Sequence, residues 1–134
     1  GMELMHDKYD LARALMEGVA FEARWTLEEF SAHGADVRRL KLVGGAAKSA
    51  LWSSITCDVT GCELQIPAEK DTCCIGAAMI AAVGSGICSD YFDAARRMVR
   101  YTKNLLPDSE SSAFYEKKYA RYRGGFGQLR ALFE

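Results

Sequence analysis

The chain has 134 residues, with 17 Lys and Arg against 18 Asp and Glu and a formal net charge of −1. This length suits one domain with its own core, and the balanced charge argues against nucleic acid as a partner. No apolar run reaches the roughly 18 to 20 residues of a membrane span, no signal peptide is visible, and the five cysteines lack CxxC spacing and lie far from His6 and His33, so no zinc ligand set is offered.

Gly1 ahead of Met2 reads as an expression scar, so residues 1–2 are set apart from 3–134. Residues 7 to about 32 predict one long helix: Leu11, Ala14, Leu15, Gly18, Phe21 and Trp25 recur at spacings of three and four. Glu22 and Glu29 lie near that face, so its edge must be wet or paired. Gly34 is placed to end the helix. "RRLKLVGG", within 38–45, predicts a strand stopped by its glycines. Residues 47 to 59 predict a helix with Leu51, Ile55 and Val59 on one face. "TGC" turns the chain, and "ELQIP" predicts a second strand, placed over 62–66 and closed by Pro67.

A helix rich in small residues follows from Asp71 to Val83. "SDYFDAARRMV" predicts another, with Ser89 or Asp90 as N-cap, and "LLPDSE" breaks it. Residues 110 to 123 predict a last helix carrying Phe114, Tyr115, Tyr119 and Tyr122, interrupted at Gly124 and Gly125 and resumed by the tail. The order α-β-α-β-α-α-α implies an α/β fold with a short parallel strand pair. Two strands alone make a marginal sheet, so the chain reads as part of something larger.

The stretch "LKLVGGAAKSALW" permits two readings. It is not a P-loop, because Ala47 rather than glycine precedes Lys48, and it is not GxGxxG. It can be a plain strand-to-helix turn. It can also be a ligand cradle: Gly44 and Gly45 let backbone approach a ligand closely, a helix N-terminus follows, and open α/β sheets bind ligands at the carboxyl ends of their strands.

"LKLVGGAAKSALWSSITCDVTG", then "IP", then "DTCCIGAAMIAAVGSG" resembles the C-terminal half of FGGY-type carbohydrate kinases, the group that includes xylulokinase and gluconokinase. "LARALMEGVAF" upstream and "PDSESSAFYEKKYARY" downstream are similar to the same family, in the same order. The resemblance implies the actin-like, ribonuclease-H-like ATPase fold, with ATP and Mg in a cleft between two domains; the five cysteines, for their part, read as free thiols of a reducing cytoplasm. It implies that Gly44, Gly45 and Ala46 match the adenosine motif facing the α-phosphate and sugar of ATP. Lys48 and Ser49 match positions near the adenine, and Gly76, Ala77 and Ala78 match the interdomain hinge. Ala46, Asp71 and the Cys62–Glu63 pair depart from the family's usual residues. The family's sugar site, first phosphate loop and catalytic aspartate lie in its N-terminal domain, so these residues alone are expected to be inactive, with weak or absent ATP binding. A non-catalytic interaction or assembly module that keeps the fold is the rival reading.

The resembled sheet has order 3-2-1-4-5, which makes 38–43 its fourth strand and 62–66 its fifth. Without the first three strands, a homo-oligomer is expected, most simply a two-fold dimer through the 38–43 edge or the Phe21/Trp25 helix. Other residues carry plainer expectations. Cys73 and Cys74 could be a redox pair but default to buried small hydrophobes. Tyr115, Tyr119 and Tyr122 are core or interface residues, Asp58 is a helix-end structural residue, and Lys117, Lys118, Arg121 and Arg123 form a solvated face.

Overall fold

A computed structural model describes residues 2–69 and 71–130. Helix α1 spans Lys8–Ala32. The Asp7 carboxylate accepts from the amides of Tyr9 and Asp10, and the Asp10 carboxylate accepts from the Asp7 amide, a reciprocal capping box. His33 is the C-cap and Gly34 follows at φ +89°, a conformation that favours glycine. Strand β1 is Arg39–Lys41, shorter than expected, although the Leu42 amide still donates to the Gln65 carbonyl at 3.0 Å. A single 3₁₀ turn, Ala46–Lys48, separates it from α2, Ala50–Thr60, which Gly61 ends at φ +67°. Strand β2 is Glu63–Pro67. Helix α3 is Thr72–Gly84 and α4 is Tyr91–Met98, capped by Asp90 rather than Ser89.

Tyr101–Leu105 forms a third strand, β3, where none was expected. The sheet order is β1-β2-β3: β1 runs parallel to β2 with Leu40 opposite Leu64, and β3 runs antiparallel with Lys103 opposite Ile66. The parallel pair holds, but the second strand of that pair is the centre of the described sheet. Pairing supplies the reason: "YTKNL" has little apolar content, and β2 fixes its conformation through the backbone. Helix α5, Ser109–Arg130, is continuous. Gly124 and Gly125 do not interrupt it, because a glycine in a helix costs only about 1 kcal/mol and neighbouring residues carry the helix through.

The main core joins α1, α2 and α5: Ala20, Phe21, Ile55, Val59, Tyr115 and Tyr119 are buried together. The Phe21 ring lies 5.2 Å from that of Tyr122, 5.8 Å from Tyr119 and 6.2 Å from Tyr115. Each tyrosine hydroxyl donates to an α1 carboxylate: Tyr115 to Glu17 at 3.1 Å, Tyr119 to Glu28 at 2.7 Å, and Tyr122 to Glu22. Tyr115 and Tyr119 are therefore core, and Phe21 is not available to a second copy. The α1 stripe is only half right. Leu15 is 74% exposed and Leu11 is exposed too, whereas Glu17, which the periodicity passed over, is 6% exposed. At 1.5 Å per residue α1 runs to roughly 37 Å and α2 to roughly 16 Å, so α2 cannot cover all of it. On α2, Ile55 and Val59 are buried but Leu51 is exposed.

The basic face is not simply solvated. Lys118 pairs with Glu17 at 3.0 Å, and Arg123 pairs with Glu28 at 3.0 Å while stacking 4.0 Å from the Trp25 ring. A second, smaller cluster of Ala82, Cys88 and Ala94 joins α3 to α4.

Candidate functional site

The glycine turn begins where β1 leaves the sheet. Gly44 has φ +77°, so its need for glycine is conformational. Gly45 has right-handed helical angles, φ −62° and ψ −41°. A Cβ at either would meet no atom within 4 Å, so both backbones face open space. The Lys48 amide donates to the Gly45 carbonyl at 3.1 Å, closing the 3₁₀ turn. Ser49 then caps α2, its hydroxyl accepting from the Trp52 amide at 3.2 Å, and Ser53 donates back to the Ala46 carbonyl at 3.2 Å.

A cavity of about 420 Å³ lies at the carboxyl ends of β1 and β2. Leu42, Val43, Gly44, Ala47 and Lys48 form one wall, and Ile66, Pro67, Ala68 and Glu69 form a second. Thr102 and Lys103 of β3 close it. The Thr102 hydroxyl donates to the Ile66 carbonyl at 3.4 Å and the Ala68 amide donates to the Arg100 carbonyl at 2.8 Å, which fastens β3 to the end of β2. Of the expected nucleotide residues, Gly44 and Lys48 line the cavity. Gly45, Ala46 and Ser49 do not, and the Ser49 hydroxyl is occupied as a helix cap. Glu69, Thr102 and Lys103 were not anticipated, because the third strand was not. Alternation of Tyr101 and Lys103 with the β-branched Thr102 was the only available signal.

Gly76, Ala77 and Ala78 do not line this cavity. They sit in the first half of α3, Ala77 and Ala78 exposed, while Met79, Ala82 and Val83 face α4. Asp71 caps α3 and sits below the usual carboxylate range, held there by the Cys74 amide at 3.1 Å and, more weakly, by the Lys48 charge. Its hydrogen bond and charge raise the Cys74 thiol, the reverse of a reactive cysteine. Cys73 and Cys74 are both exposed, so the buried default was wrong for them, since α3 is uncovered on that side. Cys57, Cys62 and Cys88 are buried, and burial pushes the Cys57 thiol up to about 11. Asp58 accepts from the Asp108 amide at 2.9 Å and tethers α2 to the start of α5. Burial raises its pKa. Among the described residues no three His, Cys, Asp or Glu side chains gather as a metal site, and no helix is long and apolar enough to cross a membrane.

Residues 1–85 match the model of the C-terminal domain of the FGGY family of carbohydrate kinases. The L-xylulose/3-keto-L-gulonate kinase of Escherichia coli is 35% identical over 123 residues, which is 92% of this chain and 25% of that protein. An autoinducer-2 kinase of Salmonella paratyphi B is 32% identical over 94% of this chain and 24% of its own length. The crystal structure of xylulose kinase from Rhodospirillum rubrum superposes with a TM-score of 0.83 at 28% identity, covering 99% of this chain and 27% of that one. The fold is thus that of the actin-like ATPase domain of sugar kinases, and the chain spans about a quarter of the length of the relatives it matches.

Proposed function

The chain belongs to the FGGY family of carbohydrate kinases, and on that premise we propose that its glycine turn forms one wall of the ATP site of a sugar kinase. In the longer chain the γ-phosphate of ATP is transferred to a sugar or polyol hydroxyl held by a preceding domain. The observation that carries this reading is the 420 Å³ cavity at the carboxyl ends of the parallel pair, with Gly44 and Lys48 in its wall. A left-handed residue followed by a right-handed one turns successive amides into a concavity suited to anions, and Gly44–Gly45 has that sense. The turn therefore receives the α-phosphate, with Gly44 giving backbone and Lys48 giving charge in the cavity wall, while Gly45 and Ala46 shape the turn from outside its lining. Ser49 is a positioning residue that holds the start of α2. The residues fit ATP. Among the described residues no cluster of carboxylates is offered to hold Mg. Gly76, half-buried, and the exposed Ala77 and Ala78 are small enough to suit the close approach of the preceding domain.

These 134 residues alone bind ATP with a Kd of roughly millimolar or weaker, equivalent to about 4 kcal/mol, and phosphorylate no sugar. Titration calorimetry reads the first, and micromolar affinity overturns it. A coupled assay over pentoses, hexoses and glycerol reads the second. The assembly reading has one observation in its favour: β1 is an outer strand with a free edge among the described residues. A two-fold dimer through that edge gives a concentration-dependent mass by light scattering, and a monomer across the dilution series removes it.

A further inference from the structure

Ser53 is the fourth residue of α2 and only 1% exposed. A hydroxyl that deep needs a partner. The other three hydroxyls of α2 bond back within the helix: Ser54 to the Leu51 carbonyl at 3.1 Å, Thr56 to Trp52 at 2.9 Å and Thr60 to Thr56 at 2.7 Å. Ser53 instead reaches out of the helix and donates to the Ala46 carbonyl at 3.2 Å, seven residues back in the glycine turn. The Ser49 amide donates to the same carbonyl at 3.2 Å. Two donors fix the direction of that oxygen. The Ala46–Ala47 peptide is trans, so its N–H points the opposite way from its carbonyl. With the Ala46 oxygen turned in to α2, the Ala47 amide is turned away from it. Ala47 lines the cavity, and no acceptor meets its amide among the described residues.

We propose that Ser53 is a positioning residue for the glycine turn: by holding the Ala46 carbonyl inward, it aims the Ala47 amide at a phosphate oxygen of the nucleotide. This rests on the nucleotide reading above. Ser53 itself stays beneath the turn and touches no ligand. Gly44 and Gly45 leave the turn soft, because glycine has the widest choice of backbone conformation. The Ser53 bond removes part of that freedom before a ligand arrives, so less ordering has to be done on binding.

The test uses the full 134-residue chain and nitrogen–proton correlation spectra with millimolar ADP or adenosine. In the unmodified chain ADP moves the Ala47 amide together with those of Gly44 and Gly45, whereas adenosine, which has no phosphate, leaves Ala47 in place. Ser53→Ala weakens ADP about fivefold, the scale of one hydrogen bond, and leaves adenosine unchanged. Ser53→Thr keeps the hydroxyl and recovers the ADP affinity. The control is Thr60→Ala, which removes a hydroxyl from the far end of α2: it lowers stability but not ADP affinity, and it decides the matter even where Ser53→Thr does not fold. Equal weakening of ADP by Ser53→Ala and Thr60→Ala assigns the effect to the helix as a whole and overturns the proposal. So does an ADP affinity unmoved by Ser53→Ala, or an Ala47 amide that stays still while Gly44 and Gly45 respond. In each of these cases the nucleotide site stands and only the role of Ser53 falls. If ADP moves none of the three amides, the nucleotide site itself is wrong and the role of Ser53 falls with it.

Discussion

Helix α1 mixes charged and apolar residues, yet it buries Glu17, Ala20 and Phe21, whereas α3 is apolar or small along nearly its whole length and buries only Ala82. The difference lies in the partners. Facing α1, α5 presents three tyrosines whose rings pack on Phe21 and whose hydroxyls meet α1 carboxylates. Facing α3 there is the eight-residue α4, which covers one side through Ala94 and Met98. Ile80 remains 63% exposed, and Ile87 and Phe92 are exposed nearby. Apolar composition thus states a demand for burial without saying what meets it. In α1–α5 the chain meets its own demand. In α3–α4 it is left open, on the surface where Ala77 and Ala78 lie.

The largest test of that contrast is Phe21→Ala. Removing a buried ring from an aromatic cluster costs about 3–5 kcal/mol, so the urea midpoint should collapse. A loss under 1 kcal/mol would mean that the α1–α5 packing is not what holds the domain.

Glu17→Gln comes next. Burial opposes ionisation of Glu17, but hydrogen bonds from Lys118 and Arg13, with Tyr115 behind them, outweigh it and leave the folded pKa below the ordinary 4.5. The unfolded chain therefore takes up the proton first. This contribution is complete above about pH 4.5 and is lost as pH falls through the lower folded value. Glu17→Gln should cost about 1–3 kcal/mol at pH 7, since a buried charged network loses its hub. Its stability should also fall less steeply below pH 4.5 than that of the unmodified chain. Parallel pH profiles would show that the network is not coupled to folding.

A smaller effect separates the two regions directly. Asp90 caps α4, accepting from the Asp93 amide at 2.7 Å. Asp90→Ala should cost about 1 kcal/mol, appearing as faster amide exchange in 91–98 and not in α1 or α5. Equal acceleration in all three helices would mean that α3–α4 is not a separable unit. The smallest is Ile80→Ser, which should shift the stability of these 134 residues by no more than about 0.5 kcal/mol. The same substitution should weaken the chain when the preceding domain is attached, if that domain covers α3. No difference between the two contexts would leave the exposed apolar face without a partner.

Local chemistry was readable from the sequence. The period of three and four and Gly34 determined α1. The glycine stop after "KLV" and "ELQIP" determined the parallel pair, and of Gly44, Gly45, Ala46, Lys48 and Ser49 in the turn that follows, two line the cavity, Gly44 and Lys48. What depended on distant pairing was not readable. β3 is a strand because β2 pairs with it, Glu17 is buried because Lys118 arrives from 101 residues away, and Leu11 and Leu15 stay exposed although α5 reaches Arg13 between them. Glu69, Thr102 and Lys103 entered the site by the same route. Periodicity records which faces a helix or strand can offer, while burial and sites depend on which surfaces meet. That meeting is decided by topology and element length, which no single stretch of sequence carries.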